Sequence, residues 1–515
     1  MGKILKILLV ILCTSAACPE VFGVTGDTIP QRNAMSAVGD FMSPVKGFQA
    51  FVYDNPAFKN MQYAVTYSEF SLGGSIRDED TAYLPQYGDK EKYFGIEAMS
   101  YKRLRADDVV WGAVSYRNGK KENVRWNTTS DYLTIYPYVT ADAVEGNRNL
   151  EEYFFEGGYN RPIGKVTLGI EAGFRALHEY ALKDPRPRNI SSDLDYKIGV
   201  SSDLFAGYSV GIAYRGRMYK QTSDINFYND RQDKTEEFCL TGLGSHYARF
   251  KGAESIYYKG FATGVSLDMT PLGERGLFVS VLYDRFSMQR FLTGSSATEI
   301  PSNKLIHHTA QIEAAYIGGG RMVWGIKGTF RHDYREGIDN LFGTSALRDY
   351  PIIARHTMYE NRISEASLSA VIGSKTGKVA WYAEPSGGYC TYKEEYIYPN
   401  QLMEFSAWNA GVKLTGIRQW QKVRLQGMVK GAYFGNLTSE LSIPRANMAA
   451  TLIEMTETVF SRFTEDHIAG KADVRVDYGL NRKTGLFLRA GYECRISGDD
   501  SSYSGIISLN IGLTF

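Results

Sequence analysis

From Tyr63 to the C-terminal Phe515, apolar residues recur at every second position, the period of a strand with one apolar face. Over residues 165–177, Val166, Leu168, Ile170, Phe174 and Ala176 share one parity, while Lys165, Glu171 and Arg175 share the other with Thr167 and two glycines. Residues 194–204, 208–218 and 468–480 repeat the arrangement. About eighteen such segments follow one another, each about ten residues long, the length of a tilted strand that crosses a hydrocarbon layer. Short turns (161–164, 205–207, 318–320, 374–377, 481–484) alternate with long connectors (75–91, 118–150, 220–254, 336–362, 435–466). A soluble sandwich has no reason to sort its connectors by length, whereas a barrel threaded through a membrane does. The pattern predicts an all-β fold: a single transmembrane antiparallel β-barrel of roughly 16–18 strands, with long external loops, short periplasmic turns and an even strand count.

Three stretches depart from this period. Lys3 and Lys6 precede a short apolar run at 7–12, which reads as a secretory leader. Its exit falls after Ala17 or after Gly23, the second being preferred; a lipidated Cys18 fits less well, with Ser15 three positions before it where a branched apolar residue is usual. Residues 26–58 hold no membrane strand, yet Phe41, Met42, Val45, Phe48, Phe51 and Val52 need cover from water. Folding up into the lumen is the shortest way to provide it, with Asn55, Pro56 and Ala57 as the turn that redirects the chain into the first strand. Residues 444–463 carry Met448, Leu452, Met455, Val459 and Phe463 at helical spacing, so a helix is expected in that external loop. The chain thus divides into a leader (1–23), an N-terminal lumenal or periplasmic segment (24–60) and the barrel (61–515).

Composition alone points elsewhere, since a mean hydropathy of -0.28 and a net charge of +1 suit a soluble protein. Each barrel strand shows lipid only every second residue, which reconciles the two. The 36 Tyr, 52 Gly and 15 Pro among 515 residues agree with strands rather than helices. Cys239, Cys390 and Cys494 remain after the leader, too few and too widely spaced for a disulfide framework or a metal site. No His-Glu-x-x-His, phosphate loop or metal-ligand spacing occurs, so neither enzyme activity, nor cofactor or metal, nor nucleic acid is expected. His332, Asp333 and Glu336 lie together where a rim-sited hydrolase would place its groups. The inward parity carries the lumen charges Arg175, Arg215, Arg217, Lys422, Arg424, Lys471, Asp473, Arg475, Asp477, Arg489 and Arg495. These form either a self-neutralising ladder or an eyelet that steers an anionic or polar solute.

The strings AMSAVGDF at 34–41 and AFVYDNPAFKNMQYAVTYSEF at 50–70 resemble the start of fatty-acid-transporter-like outer-membrane barrels. That resemblance implies that Asn55, Pro56 and Ala57 belong to a segment tucked into the lumen. In the last strand Ile507, Leu509, Ile511, Leu513 and Phe515 oppose Ser508, Asn510, Gly512 and Thr514, and its terminal Phe resembles the signal read by barrel-insertion machinery. As a whole the chain resembles the large, poorly characterised Gram-negative outer-membrane barrels that accompany TonB-dependent uptake. This implies an outer-membrane location, with lipid and the insertion machinery as partners and a TonB-dependent receptor or a lipoprotein as a further candidate. The expected function is porin-like or partner-assisted passage of a polar solute. The alternatives are a plugged structural or interaction barrel in an uptake or secretion complex, and a rim-sited hydrolase.

Overall fold

The computed structural model describes residues 34–104, 107–205, 207–226, 237–247, 255–293, 299–343, 350–445, 448–498 and 502–515. The leader and the start of the N-terminal segment lie outside the described residues. The helices are α1 (Ala34–Phe41), α2 (Pro44–Phe48), α3 (Lys59–Gln62), α4 (Tyr132–Ile135) and α5 (Ala450–Thr464). The strands begin with β1 (Tyr67–Glu79), β2 (Lys90–Arg103), β3 (Val109–Val124), β4 (Thr140–Ala141), β5 (Gly146–Ile163), β6 (Val166–Tyr180) and β7 (Arg186–Phe205). They continue with β8 (Tyr208–Asn226), β9 (Phe238–Gly242), β10 (Ser245–His246), β11 (Ser255–Pro271), β12 (Gly276–Thr293), β13 (Glu299–Gly319) and β14 (Met322–Phe342). The remainder are β15 (Ile352–Ser374), β16 (Ala380–Tyr396), β17 (Gln401–Gln419), β18 (Val423–Ser442), β19 (His467–Gly479), β20 (Gly485–Ser497) and β21 (Tyr503–Thr514).

Eighteen strands form one antiparallel sheet, each pairing with its neighbours along the chain. Pairing of β1 with β21, from Glu69 opposite Thr514 to Glu79 opposite Ser504, closes it into a barrel. The short strands β4, β9 and β10 make a separate three-stranded sheet. The connector expected over 336–362 is mostly strand, because β14 runs on to Phe342 and β15 begins at Ile352. Beyond the lipid the outward face need not be apolar, so the ladder continues where the period fades.

The outside of the barrel is an apolar belt. Leu168, Ile170, Val474, Val476 and Leu509 are exposed, and Ile507 is 62% exposed. Closure leaves no unpaired backbone edge for hydrocarbon, and the belt supplies the apolar surface that lipid requires. The chain is therefore an outer-membrane barrel. A charge in this belt should be costly: Ile198, 52% exposed near the middle of β7, replaced by Arg should lower folding stability in lipid vesicles by about 2–4 kcal/mol. Denaturant titration would show it, and an unchanged midpoint would place Ile198 away from the lipid core.

Candidate functional site

The N-terminal segment runs round the inside of the barrel wall at its periplasmic end. Its described part begins beside the turn between β19 and β20, where the Ala34 amide donates to the Arg482 carbonyl at 2.9 Å. Gly485 leaves room for α1 there, since a Cβ on it would stand 2.8 Å from Met35 Cε. Val45, Phe48, Val52 and Phe58 then bury against inward residues of β12 to β16, among them Phe278, Ile317, Val371 and Tyr382. The Lys327 ammonium of β14 lies 5.1 Å over the Phe51 ring. The 3-10 turn Ala50–Asp54 meets β12 and β11, and the 3-10 turn Pro56–Phe58 meets β8, β7, β6 and β5. Tyr101 of β2 donates its hydroxyl to the Lys59 carbonyl at 2.7 Å, completing the circuit. The ends of this path meet, because Phe41 stacks on Tyr63 at 4.2 Å and the Ala64 amide donates to Asp40 at 3.1 Å. The result is a closed inner collar.

Asn55, Pro56 and Ala57 are the most heavily anchored part of the collar. Asn55 accepts the Ala57 amide at 3.0 Å and donates to Asp268 of β11 at 3.0 Å. Asn160 of β5 donates to the carbonyls of Pro56 and Ala57 at 2.9 and 2.8 Å. Asp54 takes Lys197 at 2.6 Å and also Arg215. On the wall, a Cβ at Gly169 would overlap the Pro56 carbonyl group, and one at Gly199 would overlap the Asn55 amide oxygen. The turn therefore seats on β5–β8 rather than leading straight into the first strand; α3 and residues 63–66 carry the chain on to β1.

The lumen charges are partnered across strands. Arg175 meets Asp131 at 2.7 Å and Glu152 at 3.3 Å, and Arg217 chelates Asp193 at 2.8 and 2.5 Å. Arg475 joins Asp477 and Glu69 at 2.9 and 2.8 Å, with Arg424 3.7 Å from Asp477. Arg489 pairs with Asp473 at 2.8 Å and Lys471 with Glu493 at 2.5 Å. Arg495 lays its guanidinium 3.8 Å from the Tyr83 ring centroid. Lys422 lies exposed in the turn before β18, outside the strand, where parity does not fix its direction. Polar cavities lie between these ladders. One of about 230 Å³ is lined by Glu97, Lys471, Asp473, Arg489, Glu493 and Asn510. Another, of about 300 Å³, includes Glu156, Asp195, Arg215, Arg217 and Asp284.

The rim residues do not assemble a catalytic group. His332 hydrogen-bonds Ser364 at 2.8 Å on one face of β14, while Asp333 meets His307, Thr309 and Arg331 on the other. Asp333 and Thr309 both approach Nε2 of His307, at 2.8 and 3.3 Å. A nucleophilic relay needs hydroxyl and carboxylate on opposite ring nitrogens.

External connectors fold into a cap over the outer mouth. Its apolar core joins Trp126, Tyr132, Ile135, Tyr138, Phe238 and Leu452, so one cluster unites β9, α4 and α5. Arg125 holds α5 through a two-pronged bond to Glu454 at 2.8 and 3.0 Å, and Trp126 donates to Thr451 at 2.9 Å. The wall residues that carry the cap, Arg290, Asn303 and Asp339, left no sequence signal, because polar residues at external strand ends look like any solvated rim.

Two buried cap carboxyls make this region sensitive to pH. Ala141 pairs with Phe238 in an antiparallel ladder, so Asp142 stands opposite Glu237. Burial pushes Asp142 up to about 6 against the pull of Arg148, and pushes Glu237 up to about 7 with help from the Asp142 charge. Both folded values lie above the ordinary carboxylate range, so this contribution to cap stability is full in acid and is lost as pH rises through 6 to 7. Protease cleavage of the cap should accelerate between pH 5 and about 8 by more than the protease's own pH dependence. The double variant Asp142→Asn, Glu237→Gln should flatten that response; an unchanged pH response in the variant would assign it to other groups.

No curated protein matches the chain. Among solved structures, the ferric preacinetobactin receptor BauA from Acinetobacter baumannii is similar at 7% identity and TM-score 0.41, with 87% of this chain and 80% of that chain covered. The siderophore receptor PiuA from the same organism is similar at 9% identity and TM-score 0.37, with coverages of 86% and 81%. The outer-membrane transporter YddB from Escherichia coli stands at 8% identity and TM-score 0.37, with coverages of 87% and 81%. The profile of a family of unknown function, DUF6850, matches residues 56–515, and the chain belongs to that family.

Proposed function

We propose that this barrel passes a polar solute across the outer membrane in a gated manner, with a partner acting at the periplasmic mouth to move the inner collar. The observation that carries the reading is the collar itself. A closed path of residues 41–63 occupies the lumen, held on the wall by the apolar contacts of Val45, Phe48, Val52 and Phe58 and by polar bonds at Asp54, Asn55 and the carbonyls of Pro56 and Ala57. The polar bonds exchange for water at small net cost once the segment moves, and the apolar contacts are the part that a partner must replace. The cap covers the other mouth, and polar cavities lie between the two. An open porin has no use for two obstructions in series. A TonB-dependent receptor or a lipoprotein would meet the collar where α1 lies beside the β19–β20 turn. From the resemblance to fatty-acid-transporter-like barrels the proposal takes only the lumenal N-terminal segment, since the paired charges along the wall suit a polar solute better than an acyl chain.

Single-channel recording in planar bilayers tests it. The whole chain should be silent or nearly so, and deletion of residues 34–62 should give stable open channels while the barrel still folds. Silence of the folded deletion variant that persists when the cap is also released by Arg290→Met would favour the plugged interaction barrel instead.

A further inference from the structure

A cleft of about 330 Å³ lies between the cap and the inner wall of β14 to β17, within the size range of small-molecule sites. The wall contributes Tyr392 and Phe405, stacked at 4.8 Å. The cap answers with Tyr132, Tyr136 and Phe463, the last 6.1 Å from both wall rings. Aromatic faces on both sides favour a flat ring system, since offset and edge contacts add to apolar burial.

The polar groups narrow the chemistry further. Glu394 is already satisfied by the hydroxyls of Tyr136 and Tyr392, at 2.5 and 2.6 Å. Arg335 donates to the carbonyls of Leu133 and Tyr136 at 3.0 and 3.3 Å. These opposite charges offset one another, and the one further charge on the lining, Glu365, stands opposite Arg331 in the β14–β15 ladder, so an ion gains little by entering. Gln86 is different. It is 1% exposed, it lines the cleft, and neither its side-chain nitrogen nor its side-chain oxygen has a partner. A buried amide with both groups unpaired is rare in folded proteins. It offers one donor and one acceptor side by side, the complement of a lactam or imide edge. A saccharide would need many free polar groups, and among the buried polar atoms of the described lining only the Gln86 amide and the Arg335 Nε–H lack a partner.

We infer that this cleft binds an uncharged planar aromatic ligand that carries an adjacent donor and acceptor on one edge, read by Gln86. The site goes beyond the passage reading and stands without it, because binding needs no open channel.

Lumichrome, a neutral tricyclic with an imide edge, is a suitable probe, with anthracene as a flat hydrocarbon that lacks the edge. Both are fluorescent and can be titrated with the full chain in detergent. Lumichrome should be quenched saturably by the wild-type barrel. Gln86→Leu should weaken lumichrome about tenfold and leave anthracene unchanged. Val459→Trp, from the half-buried α5 position on the cleft lining, should fill the cleft and remove saturable binding of both. Quenching no greater than that of empty micelles would overturn the proposal, as would wild-type affinity for lumichrome in the filled variant. If Gln86→Leu fails to fold, the filled variant together with the preference for lumichrome over anthracene decides.

Discussion

Replacing Arg290 with Met should release the external cap while the barrel stays closed. Arg290 is completely buried and binds in three directions. One guanidinium nitrogen donates to the Val139 and Leu240 carbonyls at 3.3 and 2.9 Å, which brings two separate connectors together. The other two donate to the Asn303 amide oxygen at 2.9 and 2.6 Å, tying both connectors to β13. Asn303 passes the tie on by donating to Asp339 at 2.7 Å, which also accepts Tyr138 and Tyr396, each at 2.9 Å. Methionine fills much of the volume but removes the guanidinium donors from the Leu240 carbonyl and the Asn303 amide oxygen, while the Val139 carbonyl keeps the Leu240 amide at 2.9 Å, a loss of about 3 kcal/mol to the cap. Limited proteolysis should cut within 125–145 and 237–247 in the variant and spare both in the parent. Heat-modifiable gel migration, which reads barrel closure, should be the same for the two. Equal resistance to protease would mean that the Trp126–Tyr138–Leu452 cluster holds the cap unaided.

The barrel was legible from sequence for the same physical reason that it is stable in lipid. A strand such as β6 must show Leu168, Ile170 and Phe174 outward, and that requirement writes period two into the chain. The signal stops where lipid stops. Residues 352–364 of β15 extend past the apolar belt, so the long connector read over 336–362 falls largely on strand. In the cap, β9 is buried at every position from Phe238 to Gly242, so no polar face remains to reveal a period. The helix expected near 444–463 is found at Ala450–Thr464, because Leu452 and Met455 turn a narrow apolar stripe toward the cap core. The polar wall was the least legible part. Arg475 finds Glu69 at a separation of 406 residues, and parity says nothing about which strands closure will make neighbours. Gly169 and Gly199 read as ordinary members of a polar face, yet they form the seat of the Asn55-Pro56-Ala57 turn.

That seat gives the largest expected change in conductance. Gly169→Val and Gly199→Val each add a branched side chain to the lumen face of a strand, a change that suits strand geometry in itself. The collar cannot yield locally, because what meets the new Cβ is the Pro56 carbonyl group at Gly169 and the Asn55 amide oxygen at Gly199. Asn160 holds the first through its bonds to the Pro56 and Ala57 carbonyls, and Asp268 holds the second. Overpacking of this kind costs about 1–3 kcal/mol at each position, and the two add on one short turn. The double variant should therefore lift the turn off β6 and β7, break the Asp54 pairs with Lys197 and Arg215, and open the lumen with the whole segment still attached. Single-channel recording should show long-lived openings that the parent lacks. A cysteine placed at Ala57, buried in the parent at 1% exposure, should become reactive to a polar maleimide at the same time. Openings without labelling would put the gate elsewhere in the lumen. Labelling without openings would show that the collar can leave its seat while the cap keeps the pore shut, and combining the pair with Arg290→Met should then produce conduction.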